Sequence, residues 1–168
     1  MSEKWIIVDE NGNPTGRILV KSDPEALKEG VYHLAADVWI INSDNKVLIQ
    51  KRAACKRIQP NVWAMTGGST SAGENTKETV AREAKEELGI DINLDELKFI
   101  TNSKVENVWI DSYVLRHDYE ISDMVFQEDE VSDVKWATWE EINTLVLNGE
   151  FIEHRWEFVS DFLKDELI

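Results

Sequence analysis

The sequence predicts an α/β fold in which a mixed sheet is flanked by helices, and three observations lead there. Hairpin-like strand pairs come early, at Trp5 to Val20 and His33 to Gln50. The clearest helical patterns come later, from residue 75 onward. Strand and helix do not alternate as they would in a βαβ-repeat protein, so an α+β mixed sheet is expected rather than a doubly wound parallel one. A chain of 168 residues with 42% apolar and 9% aromatic content is long enough to bury a substantial core.

In chain order, Trp5 to Val8 reads as a first strand. Asp9-Glu10-Asn11-Gly12-Asn13-Pro14 is turn chemistry, and Arg17 to Val20 is the returning strand. With a short helix near Pro24, residues 1–30 form an N-terminal β-hairpin extension. From His33 to Ile41 the run is apolar except for Asp37, the pattern of a strand buried on both faces. Asn42 to Asn45 is a turn, and Val47 to Gln50 returns as the partner of a hairpin. Val80, Ala84 and Leu88 recur every four residues in a helix from Asn75 to Leu88, stopped by Gly89. Leu97 to Thr101, Val108 to Leu115 and Val134 to Ala137 read as strands. Helices are expected at Trp139 to Leu147 and from about Glu153 to Leu167, the last with Trp156, Val159, Leu163 and Leu167 on one stripe. No repeat or linker divides the chain, so one domain is expected over 1–168, with its core at 31–145 and a C-terminal helix in 146–168.

The balance of 33 acidic against 18 basic residues gives a net charge of −15. Such a field repels nucleic acids and anionic lipid, which argues against both as partners. One cysteine, Cys55, excludes an internal disulfide, no apolar run is long enough to span a bilayer, and the N-terminus has no leader pattern. A cytoplasmic protein is expected. Against this acidic background, residues 46–57 hold Lys46, Lys51, Arg52, Lys56 and Arg57 with no acidic residue. That segment reads either as a solvated loop or as a patch that guides phosphate. The apolar first strand and the tryptophan-rich last helix could support a homodimer.

The chemistry concentrates in residues 68–90. On a helix Glu83, Glu86 and Glu87 stand at i, i+3 and i+4, so three carboxylates share a face. They repel one another and lie near the helix C-terminus, where the helix dipole disfavours anions. Clustered hard oxygen ligands are what Mg²⁺ or Mn²⁺ prefers, and such ions would relieve the repulsion. Arg82 beside them can hold a carboxylate in place, Glu74 can cap the helix or face the cleft, and the glycines at 67, 68 and 73 let the loop turn sharply.

The arrangement resembles the Nudix box, Gly-x5-Glu-x7-Arg-Glu-U-x-Glu-Glu-x-Gly-U with U a bulky apolar residue. Gly68, Glu74, Arg82, Glu83, Glu86, Glu87 and Gly89 fill the fixed positions, with Ile90 last; Ala84 is smaller than usual. The hairpin before the box, Gln50-Lys51-Arg52, the approach from Trp63 and the downstream Glu130-Val131 and Trp136 extend the resemblance over about residues 30 to 145. It implies an α/β/α sandwich and a metal-dependent hydrolase that cleaves a diphosphate bond in a nucleoside diphosphate-linked or similar small molecule. Carried over residue by residue, it makes Glu83, Glu86 and Glu87 the ligands of Mg²⁺, or Mn²⁺ in its place, with Arg82 orienting them. Glu130 is the candidate base from outside the box, with Glu128, Asp129 and Asp111 as competitors. Lys51, Arg52, Arg57, Trp63 and Gly68 are the expected substrate contacts.

The stretch from Gly30 and His33 to Trp63 is similar to the isopentenyl-diphosphate isomerase branch, which offers a proton-transfer enzyme as the alternative. That branch uses a cysteine soon after the equivalent of Trp63 and then a metal-binding histidine, whereas Ala64-Met65-Thr66-Gly67-Gly68-Ser69 supplies neither. His33 alone reads as structural. A non-catalytic nucleotide-binding module is a third reading, disfavoured because every box carboxylate is present.

Overall fold

A computed structural model describes residues 3–168. The centre of the sheet is β3 (Tyr32–Ile41). From His33↔Val108 to Ile41↔Arg116 it pairs in parallel with β8 (Val108–Arg116), and β7 (Lys98–Val105) lies antiparallel beyond β8. Three segments pair antiparallel with β3 in succession: β1 (Lys4–Val8) at Tyr32 and His33, β6 (Thr66–Ser69) at Ala35 to Val38, and β4 (Val47–Arg52) at Ile41. β4 then carries β5 (Trp63–Ala64) and β9 (Val131–Ala137), while β2 (Pro14–Val20) pairs with β1.

The expected β3–β4 hairpin therefore exists only at its turn. A single pair, Ile41↔Val47, joins the strands before they diverge. The glycine-rich β6 takes the place beside β3, and β4 finds its ladder with β9 from Val47↔Ala137 to Arg52↔Val131. This divergence lets the sheet curl around a cleft.

Helices cover both faces of this sheet, as expected for the sandwich. On β3, Ala36, Val38 and Ile40 face α1 (Thr76–Leu88) and meet Val80, Ala84 and Leu88. The alternate residues Trp39 and Ile41 face the opposite layer, where α2 (Trp139–Leu147) and α3 (Trp156–Leu167) contribute Ile142, Trp156, Val159 and Leu163. The near-continuous apolar run of β3 thus fills two cores at once. Each fully buried aliphatic or aromatic side chain contributes about 1.5–3 kcal/mol of gross burial free energy, so the α3 stripe alone ties that helix to the sheet. The N-terminal hairpin forms a smaller cluster of Trp5, Ile7 and Ala26, and Trp5 stacks on His33 with ring centroids 3.9 Å apart. No helix among the described residues is long and apolar enough to cross a membrane.

Candidate active site

The site is built on α1, whose start and stop are local. Asn75 accepts from the Glu78 amide, while the Glu78 carboxylate accepts from the Asn75 amide at 2.8 Å. Gly89 closes the helix in the left-handed region, at φ 70°. Val80, Ala84 and Leu88 are fully buried. With that stripe fixed against the sheet, the helical period leaves Arg82, Glu83 and Glu86 lining a polar cleft of about 430 Å³. Glu87 lines it too, although it is itself buried at 8% exposure.

The opposite wall is the backbone of β6. A Cβ on Gly68 would overlap the Glu83 carboxylate, and one on Gly67 would run into the Ala36 carbonyl and come within 2.8 Å of the Asp37 Cα. Close approach of the box helix and of β3 requires glycine at both positions. The glycine content also hid β6 from sequence reading, because glycine is depleted in strands.

Arg82 is the hub of the cleft. Its Nη2 donates to Glu74 Oε1 at 2.7 Å and to the Ser69 carbonyl at 3.0 Å, and its Nε donates to Glu74 Oε2 at 3.0 Å. Its Nη1 donates to Glu83 Oε1 at 2.8 Å and Glu86 Oε2 at 3.3 Å. These bonds, Glu74's foremost, push its pKa up. Burial pulls Glu74 upward, but Arg82 and the Ser71 amide outweigh it and hold the carboxyl below its ordinary value. Glu74 is thus part of the loop's framework, bridging the loop and Arg82.

Glu83 and Glu87 are pushed the other way. Burial raises Glu83 to about 7 against the pull of Arg82, and Glu86 adds repulsion. Burial raises Glu87 to about 8, opposed by a 2.6 Å hydrogen bond from Gln50 Nε2 and reinforced by Glu83 and Glu130. Among the described residues no three acidic, histidine or cysteine side chains already stand together as a metal-binding group. The expected trio shares a cleft, but Arg82 clasps Glu83 and Glu86 while Gln50 holds Glu87.

The remaining expected residues divide sharply. Glu130 lines the cleft, paired with Lys56, whereas Glu128 and Asp129 are exposed and Asp111 is bonded to Thr76 in a different pocket. Arg52 and Gly68 line the cleft as well. Three expected substrate contacts do not line the cleft. Lys51, one residue from Arg52 on β4, lies over the Trp63 ring instead, as strand alternation demands. Trp63 is 8% exposed within the α2/α3 core, so its faces are unavailable for stacking on a ligand. Arg57 is exposed and does not line the cleft. Sequence reading grouped Lys56 in the basic segment without naming it among the five contacts, and it lines the cleft. Sequence reading missed Gln127, and Glu3 and Lys21 of the N-terminal hairpin, which complete the rim. Nothing in the pattern of those last three marked them.

Comparison with known proteins agrees with this architecture. The chain is 35% identical over 153 residues to an uncharacterised Nudix hydrolase of Listeria monocytogenes, covering 90% of this chain and 89% of that one. It is 33% identical over 145 residues to isopentenyl-diphosphate Delta-isomerase 1 of Aromatoleum aromaticum, covering 82% and 78%. A crystal structure of a Deinococcus radiodurans protein superposes with a TM-score of 0.75 at 23% identity, over 97% of this chain and 98% of that chain. The NUDIX domain model matches residues 31–162, and the chain belongs to the Nudix hydrolase family.

Proposed function

We propose that the chain is a divalent-metal-dependent hydrolase that cleaves a diphosphate bond in a nucleoside diphosphate-linked or similar small molecule. The observation that carries this reading is the gathering of Glu83, Glu86, Glu87 and Glu130 in one polar cleft, where the half-buried Glu83 and the buried Glu87 are raised to about 7 and 8. Hard oxygen donors gathered in one cleft suit Mg²⁺ or Mn²⁺. Glu83, Glu86 and Glu87 would hold the cation, with Arg82 positioning Glu83 and Glu86. When bound, such a cation neutralises phosphate oxygens and lowers the pKa of a coordinated water.

The chain's own residues then have distinct tasks. Arg52 is held by its bonds to the Gln59 and Ile58 carbonyls, at 3.1 and 2.9 Å, and presents a fixed charge to an incoming phosphate. Lys56 is engaged with Glu130. Exchange of that ammonium onto a substrate oxygen frees the Glu130 carboxylate to accept a proton from the attacking water. The net charge of −15 favours a small-molecule partner over nucleic acid.

The identity to an isomerase favours a second reading, proton transfer on isopentenyl diphosphate. It lacks its cysteine and histidine here, and a side chain at Gly67 would collide with β3. The test is incubation of the purified protein with a panel of diphosphates, isopentenyl diphosphate included, with Mg²⁺ or with chelator. Metal-dependent release of a phosphorylated product is expected. No cleavage of any compound, or cleavage indifferent to chelator, would overturn the proposal, and isomerised isopentenyl diphosphate would establish the second reading.

A further inference from the structure

Each glutamate of the cation-binding trio already has one carboxylate oxygen engaged. Arg82 Nη1 donates to Oε1 of Glu83 and to Oε2 of Glu86, and Gln50 Nε2 donates to Oε2 of Glu87. Among the described residues, the second oxygen of each accepts no hydrogen bond. The Arg82 contacts arise within the box helix itself, between neighbours in sequence. The Gln50 contact does not, because Gln50 reaches Glu87 from β4, 37 residues away along the chain. Gln50 is 5% exposed, and its amide is oriented from a third element. Thr66 on β6 is buried and donates through Oγ1 to Gln50 Oε1 at 3.4 Å.

A hydroxyl donor on Gln50 Oε1 leaves the amide NH₂ facing Glu87, whereas the amide turned over would set its oxygen against the carboxylate. Thr66, Gln50 and Glu87 thus form a directed chain from β6 through β4 to α1. Outer partners of this kind fix which face of a ligand a metal ion meets. We infer that Gln50 is a positioning residue that restricts Glu87 to one oxygen toward the cation, and that this clamp makes the cleft select Mg²⁺ over Ca²⁺. The inference rests on the metal-dependent reading of the cleft.

The coordination habits of the two ions give the reason. Mg²⁺ takes oxygens at about 2.0–2.1 Å in a tight octahedron, keeps several waters, and needs single carboxylate oxygens. Ca²⁺ takes about six to eight oxygens at longer range and gains from carboxylates that offer both. Three glutamates with one oxygen each held back suit the smaller ion. Removing the clamp frees the second oxygen of Glu87, which helps Ca²⁺ and leaves Mg²⁺ with a poorly oriented ligand. A partner that merely satisfied a buried carboxylate would, when removed, weaken both ions alike.

Calorimetric titration of Mg²⁺ and of Ca²⁺ into chelator-stripped protein, with no substrate present, reads this selectivity apart from catalysis. Gln50→Met keeps the length of the side chain and removes the amide. Thr66→Val keeps the shape and removes the hydroxyl, while Thr66→Ser keeps the hydroxyl. Wild type is expected to bind Mg²⁺ the more tightly. In Gln50→Met the ratio of the two dissociation constants should move about tenfold toward Ca²⁺. Thr66→Val should move it the same way by about threefold, because the amide can then turn over, and Thr66→Ser should keep the wild-type ratio. Melting in chelator shows that each variant is folded, and should Gln50→Met fail to fold, Thr66→Val decides. An equal loss for both ions, or an unmoved ratio in the folded variants, would overturn the inference and leave the hydrolase reading intact. Binding of neither ion by wild type would sink both. A shifted ratio without cleavage of any diphosphate would sink the hydrolase reading and leave the clamp standing.

Discussion

Replacing Glu87 by Gln gives the sharpest test of the cleft's electrostatics. Glu87 is 8% exposed, and burial raises its carboxyl from 4.5 to about 8. Because the folded value is the higher one, folding takes up a proton between those two pH values. The stability this contributes is fully present below about pH 4.5 and is lost as pH rises through about 8. At about 1.4 kcal/mol for each pH unit, that span amounts to about 5 kcal/mol at most. Gln is neutral at every pH and nearly the same shape, so Glu87→Gln removes the dependence. Urea unfolding in chelator between pH 5 and 9 reads the difference. Near pH 5 the two proteins should unfold within about 1 kcal/mol of each other, and at pH 9 the variant should be the more stable by about 2–5 kcal/mol. Adding Mg²⁺ at pH 9 should restore wild type and leave the variant unchanged, since a ligand bound only by the folded state stabilises it. A difference between the proteins that stays constant with pH would refute the reasoning.

Other perturbations separate the cleft's parts. Glu86→Gln should lower turnover about 100-fold or more with little change in the urea midpoint, since Glu86 is half exposed and outside the core; retained turnover on the cleaved diphosphate would refute its role. Gly67→Ala meets β3 backbone and should cost about 1–3 kcal/mol, read as a lowered melting temperature. Gly68→Ala meets only the end of the Glu83 side chain, so it should fold and lose activity instead, measured as a fall in kcat with near wild-type melting. Lys56→Ala should raise KM for the diphosphate about tenfold while Lys51→Ala leaves it unchanged, because Lys56 lines the cleft and Lys51 lies over Trp63; equal effects in steady-state kinetics would contradict the assignment.

What could be read in advance follows from range. The bounds of α1 depend on Asn75, Glu78 and Gly89, all within one turn of its ends, and the spacing of Val80, Ala84 and Leu88 shows which face is buried. The carboxylates on the remaining face follow from the same period. Alternation on β4 also implies that Lys51 and Arg52 point apart, although the basic segment reads as one patch. By contrast, β6 contains two glycines, and its pairing with β3 is visible only when Ala36 and Gly68 are seen side by side.

The sequence by itself determined the family, the box helix with its glutamates, and the two-sided burial of β3, because these rest on short-range periods, caps and spacings. Only the tertiary structure decided that β3 and β4 part after one pair, that Arg82 binds three glutamates, and that Trp63 is core. It alone placed Gln50, 37 residues from Glu87 along the chain, against that carboxylate. Burial, charge and hydrogen-bond partners depend on which distant segments meet, and side-chain type and spacing carry no record of that meeting until the chain has folded.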